Sequence, residues 1–150
     1  MHTTLVSVTQ LKTLQAQGAP LAIFDCSYDL MQPTAGDQSY QDVHIQGALR
    51  ADLHRDLSVQ GEGPHASGGR HPLPLREHFA QWLASQGVSN QTQVVVYDCN
   101  GAMFCGRLWW MLKWLGHSAV ALLDGGLSAW QAGGGATEVG PSRNTQACRF

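Results

Sequence analysis

Charge is scarce in this chain. Charged residues make up 13% of its 150 residues, nine basic against eleven acidic, for a formal net charge of -2. The basic residues are scattered, so the electrostatic footprint of a nucleic-acid binder is missing, and nothing favours an anionic membrane surface. No run of about 18 apolar residues occurs, and Met1-His-Thr-Thr-Leu-Val lacks the basic-then-apolar pattern of a leader, so a cytoplasmic location is expected. The four cysteines, Cys26, Cys99, Cys105 and Cys148, do not fall in the short paired spacings of a zinc site or a disulfide framework, so they read as reduced thiols. No motif calls for a metal or cofactor.

What is present is enough for one core. Hydrophobic residues are 43% of the chain, too many for a disordered segment, and the length suits one domain rather than two. Short apolar runs alternate with helical patterns. Leu5 to Val8 precedes Thr9 to Gln17, Leu21 to Phe24 and Gly47 to Leu49 follow, and Leu75 to Gln86 reads as a helix. Val94 to Tyr97 then precedes Phe104 to Leu115, and Val120 to Leu123 precedes Leu127 to Ala132. This alternation predicts a parallel sheet with crossover helices. Gln93-Val-Val-Val-Tyr97 has no polar interruption over its three β-branched residues, as befits a central strand covered on both faces.

Local signals set the boundaries. Ser7 or Thr9 can cap the first helix, Pro74 announces the helix from Leu75, and Gly87 and Gly116 stand where helices end. In the helix after Gly101, apolar residues at 104, 108, 109, 111, 112 and 115 form one broad face. Trp109, Trp110, Trp114 and Trp130 are expected to fill the layer between helix and sheet, with one of them exposed at a seam. Asp124-Gly125-Gly126 predicts a tight turn. Two stretches, Cys26 to Gln46 and Leu57 to Pro74, are expected to be long irregular loops. Residues 1–135 would form the domain, and 136–150, rich in Gly and polar residues, the start of a linker or a disordered tail.

Four segments, in order, resemble the amino-terminal domain of the thiosulfate and 3-mercaptopyruvate sulfurtransferases, a branch of the rhodanese-like proteins. They are Ile23-Phe-Asp-Cys-Ser27, His44-Ile-Gln-Gly-Ala48, Val94-Val-Val-Tyr-Asp98 leading into Arg107-Leu-Trp-Trp-Met-Leu112, and Leu122-Leu-Asp-Gly-Gly-Leu-Ser-Ala-Trp130. The resemblance spans residues 4–132. It implies a three-layer α/β fold with a five-stranded parallel sheet flanked by helices. It also implies two partners, a second, catalytic rhodanese domain and a small anionic sulfur donor.

Sulfur transfer needs a thiolate that attacks a sulfane sulfur and carries it as a persulfide, seated where backbone N–H groups and a helix N-terminus stabilise negative charge. In such domains that seat directly follows the central strand. Here the residue is Asp98, also a candidate substrate contact, and aspartate at this place is typical of the non-catalytic first half. Cys99, one residue on, is either a displaced nucleophile or an incidental loop cysteine. Cys105 reads as core and Cys26 as packing. A phosphatase loop would need arginine after five intervening residues, and from Cys99 that position is Cys105.

The resemblance further assigns Asp52 and His71 to a pair facing the thiol of the second domain, His71 relaying a proton or polarising a carbonyl and Asp52 fixing its tautomer. Arg70 would help hold the anionic donor. The alternative is that Arg70 and His71 are exposed loop residues and Asp52 caps a turn. Asp25 and His44 read as structural. The expected function is sulfur transfer from thiosulfate or 3-mercaptopyruvate to cyanide or a thiol, the Asp52 and His71 match favouring mercaptopyruvate. This chain would build one wall of the cleft and be inactive alone. A stand-alone module that binds a partner through the loop after the central strand is the other reading.

Overall fold

The computed structural model describes residues 1–141, 146–148 and 150. Its elements run β1 (Leu5–Val6), α1 (Val8–Gln17), β2 (Leu21–Asp25), α2 (Ala35–Asp42), β3 (His44–Ile45), β4 (Leu49–Arg50), α3 (Arg76–Ser85), β5 (Gln93–Tyr97), α4 (Cys105–Leu115), β6 (Val120–Leu123), α5 (Gly126–Ala132) and β7 (Thr137–Glu138). Five strands form one parallel sheet in the order β1-β6-β5-β2-β4, with β5 at its centre as the sequence predicts.

Side-chain alternation along β5 divides the core into two layers. Val94 and Val96 pack with Phe24, Phe79, Leu83, Leu108 and Leu112 on the α3/α4 face. Val95 and Tyr97 pack with Ile23, Leu11, Leu127 and Trp130 on the α1/α5 face. Successive strand residues point to opposite sides, so an unbroken apolar run supplies both layers at once. Every residue of β5 is buried.

Helix ends follow the predicted chemistry. Ser7 caps α1, its hydroxyl accepting from the Gln10 N–H while the Gln10 side chain accepts from the Ser7 N–H. Gly116 ends α4 at φ 100°, a left-handed conformation that favours glycine.

Two regions differ from expectation. The stretch 26–46 is not one irregular loop: it contains α2 and β3, hidden in sequence because Ala35–Asp42 is mostly polar and offers little apolar periodicity. After residue 135 the chain does not leave the body at once, since β7 pairs antiparallel with β3, His44 opposite Glu138. Further on, the Cys148 N–H donates to the Ala84 carbonyl at 3.0 Å and Phe150 packs against His117. Residues 142–145 and 149 of the expected linker lie outside the described residues. Of the tryptophans, Trp130 is buried as expected, whereas Trp110 turns outward and stacks on Trp114 at 5.9 Å.

Candidate functional site

The loop that follows β5 wraps around a carboxylate. Asp98 is buried, and its Oδ1 accepts the N–H groups of Asn100 (3.0 Å) and Ala102 (2.8 Å). Its Oδ2 accepts those of Phe104 (2.9 Å) and Cys105 (3.0 Å). The last two open α4, which has no side-chain cap at Phe104, so Asp98 satisfies N–H groups a helix start leaves unpaired and places negative charge at the positive end of the helix dipole. Ala102 sits at φ 68°, among the described residues the one non-glycine with positive φ. That conformation costs on the order of 1–2 kcal/mol and is held by the bond from its N–H to Asp98.

The loop is stitched to the end of β2. The Cys99 N–H donates to Ser27 Oγ at 3.0 Å, the Ser27 N–H to Asp25 Oδ1 at 2.8 Å, and the Tyr28 N–H to Asn100 Oδ1 at 3.2 Å. Behind the loop, Asp98, Cys99, Ala102, Cys105, Asp124 and Gly126 are among the residues lining a cavity of about 310 Å³.

Cys99 is exposed, and its Sγ lies 3.8 Å from Asn100 Oδ1. The four N–H groups converge on Asp98, one residue before it. Cys105 is buried, and burial followed by the charge of Asp98 pushes its thiol up to about 12, which keeps it protonated and unreactive. Burial likewise pushes the Cys26 thiol well up, with Cys105 and Asp25 adding. Cys148 is half-buried.

His71 lies near the Asp98 loop, across Tyr28, on the loop between Leu57 and Pro74. Its half-buried ring meets the rings of Tyr28 (6.2 Å) and His54 (6.1 Å) edge-on. Tyr28 also meets Phe104 edge-on at 5.6 Å, so one aromatic side chain ties the His71 loop to the Asp98 loop. Burial first, then the charges of Arg107, Arg70 and His54, hold the His71 imidazole below its ordinary value, with Asp52 opposing. His71 is therefore neutral at pH 7 and presents one N–H donor and one acceptor nitrogen.

Asp52 does not hydrogen-bond His71. Its Oδ1 accepts the N–H groups of His54 (2.9 Å) and Arg55 (2.8 Å), and its Oδ2 accepts from Arg50 Nη2 at 3.3 Å. That is the geometry of a turn cap inside an ion network in which Arg50 also reaches Asp37. Its effect on the imidazole is through space. Arg70 is exposed and touches the Leu30 carbonyl at 3.4 Å.

His44 is buried, with Nδ1 2.7 Å from the Tyr40 carbonyl, Nε2 3.2 Å from Glu138 Oε1 and its ring stacked on Tyr40 at 3.8 Å. Asp25 is buried beneath Ser27, and burial raises its carboxyl above its usual value. Sequence reasoning missed Arg107 and Tyr28. Arg107 could have been found as a lone cation in register with Phe104 and Met111 on the apolar face of α4. Among the described residues no three His, Cys, Asp or Glu side chains are grouped to hold a metal ion, and no helix is long and apolar enough to cross a membrane.

The model of the Rhodanese-like domain family matches residues 7–133. The chain belongs to that family. It is 43% identical over 145 residues to a probable 3-mercaptopyruvate sulfurtransferase of Pseudomonas aeruginosa, covering 91% of this chain and 50% of that protein. A putative thiosulfate sulfurtransferase of Mycobacterium tuberculosis is 34% identical over 136 residues, covering 91% of this chain and 46% of that one. Among solved structures, 3-mercaptopyruvate sulfurtransferase from Leishmania major superposes with a TM-score of 0.83 at 32% identity, covering 99% of this chain and 40% of that chain. This rhodanese-like chain therefore spans about half the length of the curated relatives it matches.

Proposed function

We propose that this chain is the amino-terminal, non-catalytic domain of a two-domain sulfurtransferase, forming one wall of a cleft whose nucleophilic cysteine belongs to the second domain. The observation that carries this reading is the Asp98 carboxylate, which takes four backbone N–H groups in the seat where a sulfur-carrying thiolate would be stabilised. A carboxylate there can neither attack sulfur nor hold it.

In this reading the thiolate of the second domain attacks the sulfur of 3-mercaptopyruvate. The carbon–sulfur bond breaks, its electron pair leaves with carbon as the enolate of pyruvate, and the sulfur remains as a persulfide that a cyanide or thiol acceptor removes. His71, neutral and held among Tyr28, His54 and Arg107, is suited to hydrogen-bond the carbonyl oxygen as it becomes the enolate oxygen. Arg70, exposed beside it, is suited to the carboxylate of the donor. Thiosulfate has no carbonyl, so it makes less use of His71.

The test compares this chain with the product of the whole gene, each assayed for pyruvate from 3-mercaptopyruvate and thiocyanate from thiosulfate with cyanide. Turnover is expected only from the longer protein, where His71→Ala lowers pyruvate formation more than thiocyanate formation. Equal turnover per mole by the isolated chain would refute the proposal.

A further inference from the structure

The loop 57–74 is held closed at its neck by a residue of another element. Arg107, two residues into α4, reaches across to the loop with its half-buried guanidinium. Its Nη2 donates to the Leu57 carbonyl at 2.9 Å and to the His71 carbonyl at 2.8 Å, and approaches Ser58 Oγ at 3.4 Å; its Nε also reaches the Leu57 carbonyl, at 3.3 Å. Leu57 and His71 stand at the two ends of the excursion. A further bond beside them, from the Val59 N–H to the Pro72 carbonyl at 2.9 Å, closes the same neck.

We infer that Arg107 is a positioning residue for His71, its guanidinium strapping both ends of the loop to α4 so that the imidazole faces the cleft. The inference rests on His71 being the substrate-facing group proposed above. Arginine suits this role because its Nε and Nη2 together grip the Leu57 carbonyl while Nη2 also takes the His71 carbonyl on the other strand of chain, whereas a lysine ammonium offers one nitrogen on a flexible stem without that planar fork.

The strap is anchored where the cleft is built. The N–H groups of Phe104 and Cys105, three and two residues before Arg107, are among those fixed by the Asp98 carboxylate. Asp98 thus holds the start of α4, and α4 holds His71. The charged and titratable groups facing the imidazole are Arg70 on its own loop, Arg107 on α4, His54 and Asp52 on the turn after β4, and Tyr28 after β2. Arg107 is the largest of the charge effects upon it, second only to burial.

The test needs no turnover. In the isolated chain, proton NMR follows the titration of the His71 ring, and amide hydrogen exchange follows residues 57–74. Arg107→Met keeps the apolar stem and removes both strap and charge; the His71 midpoint is expected to rise, and exchange at the hydrogen-bonded loop amides of Val59 and Leu73 to quicken on the order of tenfold with the sheet amides unchanged. Arg107→Lys restores the charge without the fork; its midpoint is expected to stay near that of the parent while loop exchange is still faster. A residue that only supports the fold would quicken exchange throughout and leave the midpoint alone. An unchanged midpoint in folded Arg107→Met, or parental loop exchange in Arg107→Lys, overturns the inference. Neither result depends on whether His71→Ala affects pyruvate formation in the longer protein, so failure of the strap and failure of the proposed function are read separately.

Discussion

Replacing Asp98 by asparagine changes one oxygen to an NH2 group in a site where four N–H donors converge at 2.8 to 3.0 Å. The amide keeps an acceptor for two of them and turns a donor toward the other two. Each orphaned N–H costs about 1–3 kcal/mol, and the lost charge at the start of α4 adds about 0.3–1 kcal/mol. The expected destabilisation is about 3–5 kcal/mol, in line with breaking a buried charged network. In urea unfolding followed by circular dichroism this appears as a lower midpoint with an unchanged slope, and in a thermal melt as a drop of roughly 8–15 °C for a domain of this size. A loss under about 1 kcal/mol would refute the view that the loop is organised around this carboxylate.

Other consequences follow from the same geometry. Asp98→Cys, in a Cys99→Ser background, places a thiol among the N–H groups; its titration, read by thiolate absorbance, should fall below the ordinary cysteine value of about 8.5, and a normal or raised value would show that the loop does not stabilise a thiolate. Gly126→Ala would bring a Cβ within 2.5 Å of the Asp98 carbonyl oxygen at φ 59°, so loss of thermal stability by several degrees is expected, and an unaltered melt would place that turn elsewhere. Burial holds the His117 imidazole below its ordinary value while its Nε2 lies 2.9 Å from the Thr92 carbonyl. The unfolded chain then takes up the proton first, so stability should fall as pH drops below about 6.5, and His117→Asn should weaken that dependence in urea titrations between pH 7 and pH 5.

The parts legible in sequence were those written in local pattern. Val94-Val-Val96 announced the central strand because an unbroken β-branched run suits a strand covered on both faces. The α4 face and Gly116 were equally local. The pairing of β3 with β7 was not legible, since two-residue strands separated by most of the chain carry no periodicity, and α2 was masked by its polar composition. At the site, Asp98 was visible as a carboxylate where the resemblance leads one to expect a thiol, but the number of donors it satisfies depends on how residues 99–105 curl. The expected direct bond between Asp52 and His71 is absent because the N–H groups of His54 and Arg55 and the Arg50 guanidinium claim the Asp52 oxygens. Arg107, although it opens the segment Arg107–Leu112 that carries part of the resemblance, escaped as a site residue because its partners are backbone carbonyls of a loop distant in sequence.

The proposal that this chain carries no sulfur is tested most directly by intact-mass spectrometry of the purified protein after incubation with thiosulfate and with 3-mercaptopyruvate. The account predicts a mass unchanged at every cysteine, with Cys99 open to alkylation before and after treatment. A gain of about 32 Da, one sulfur atom, that disappears in Cys99→Ser would contradict it.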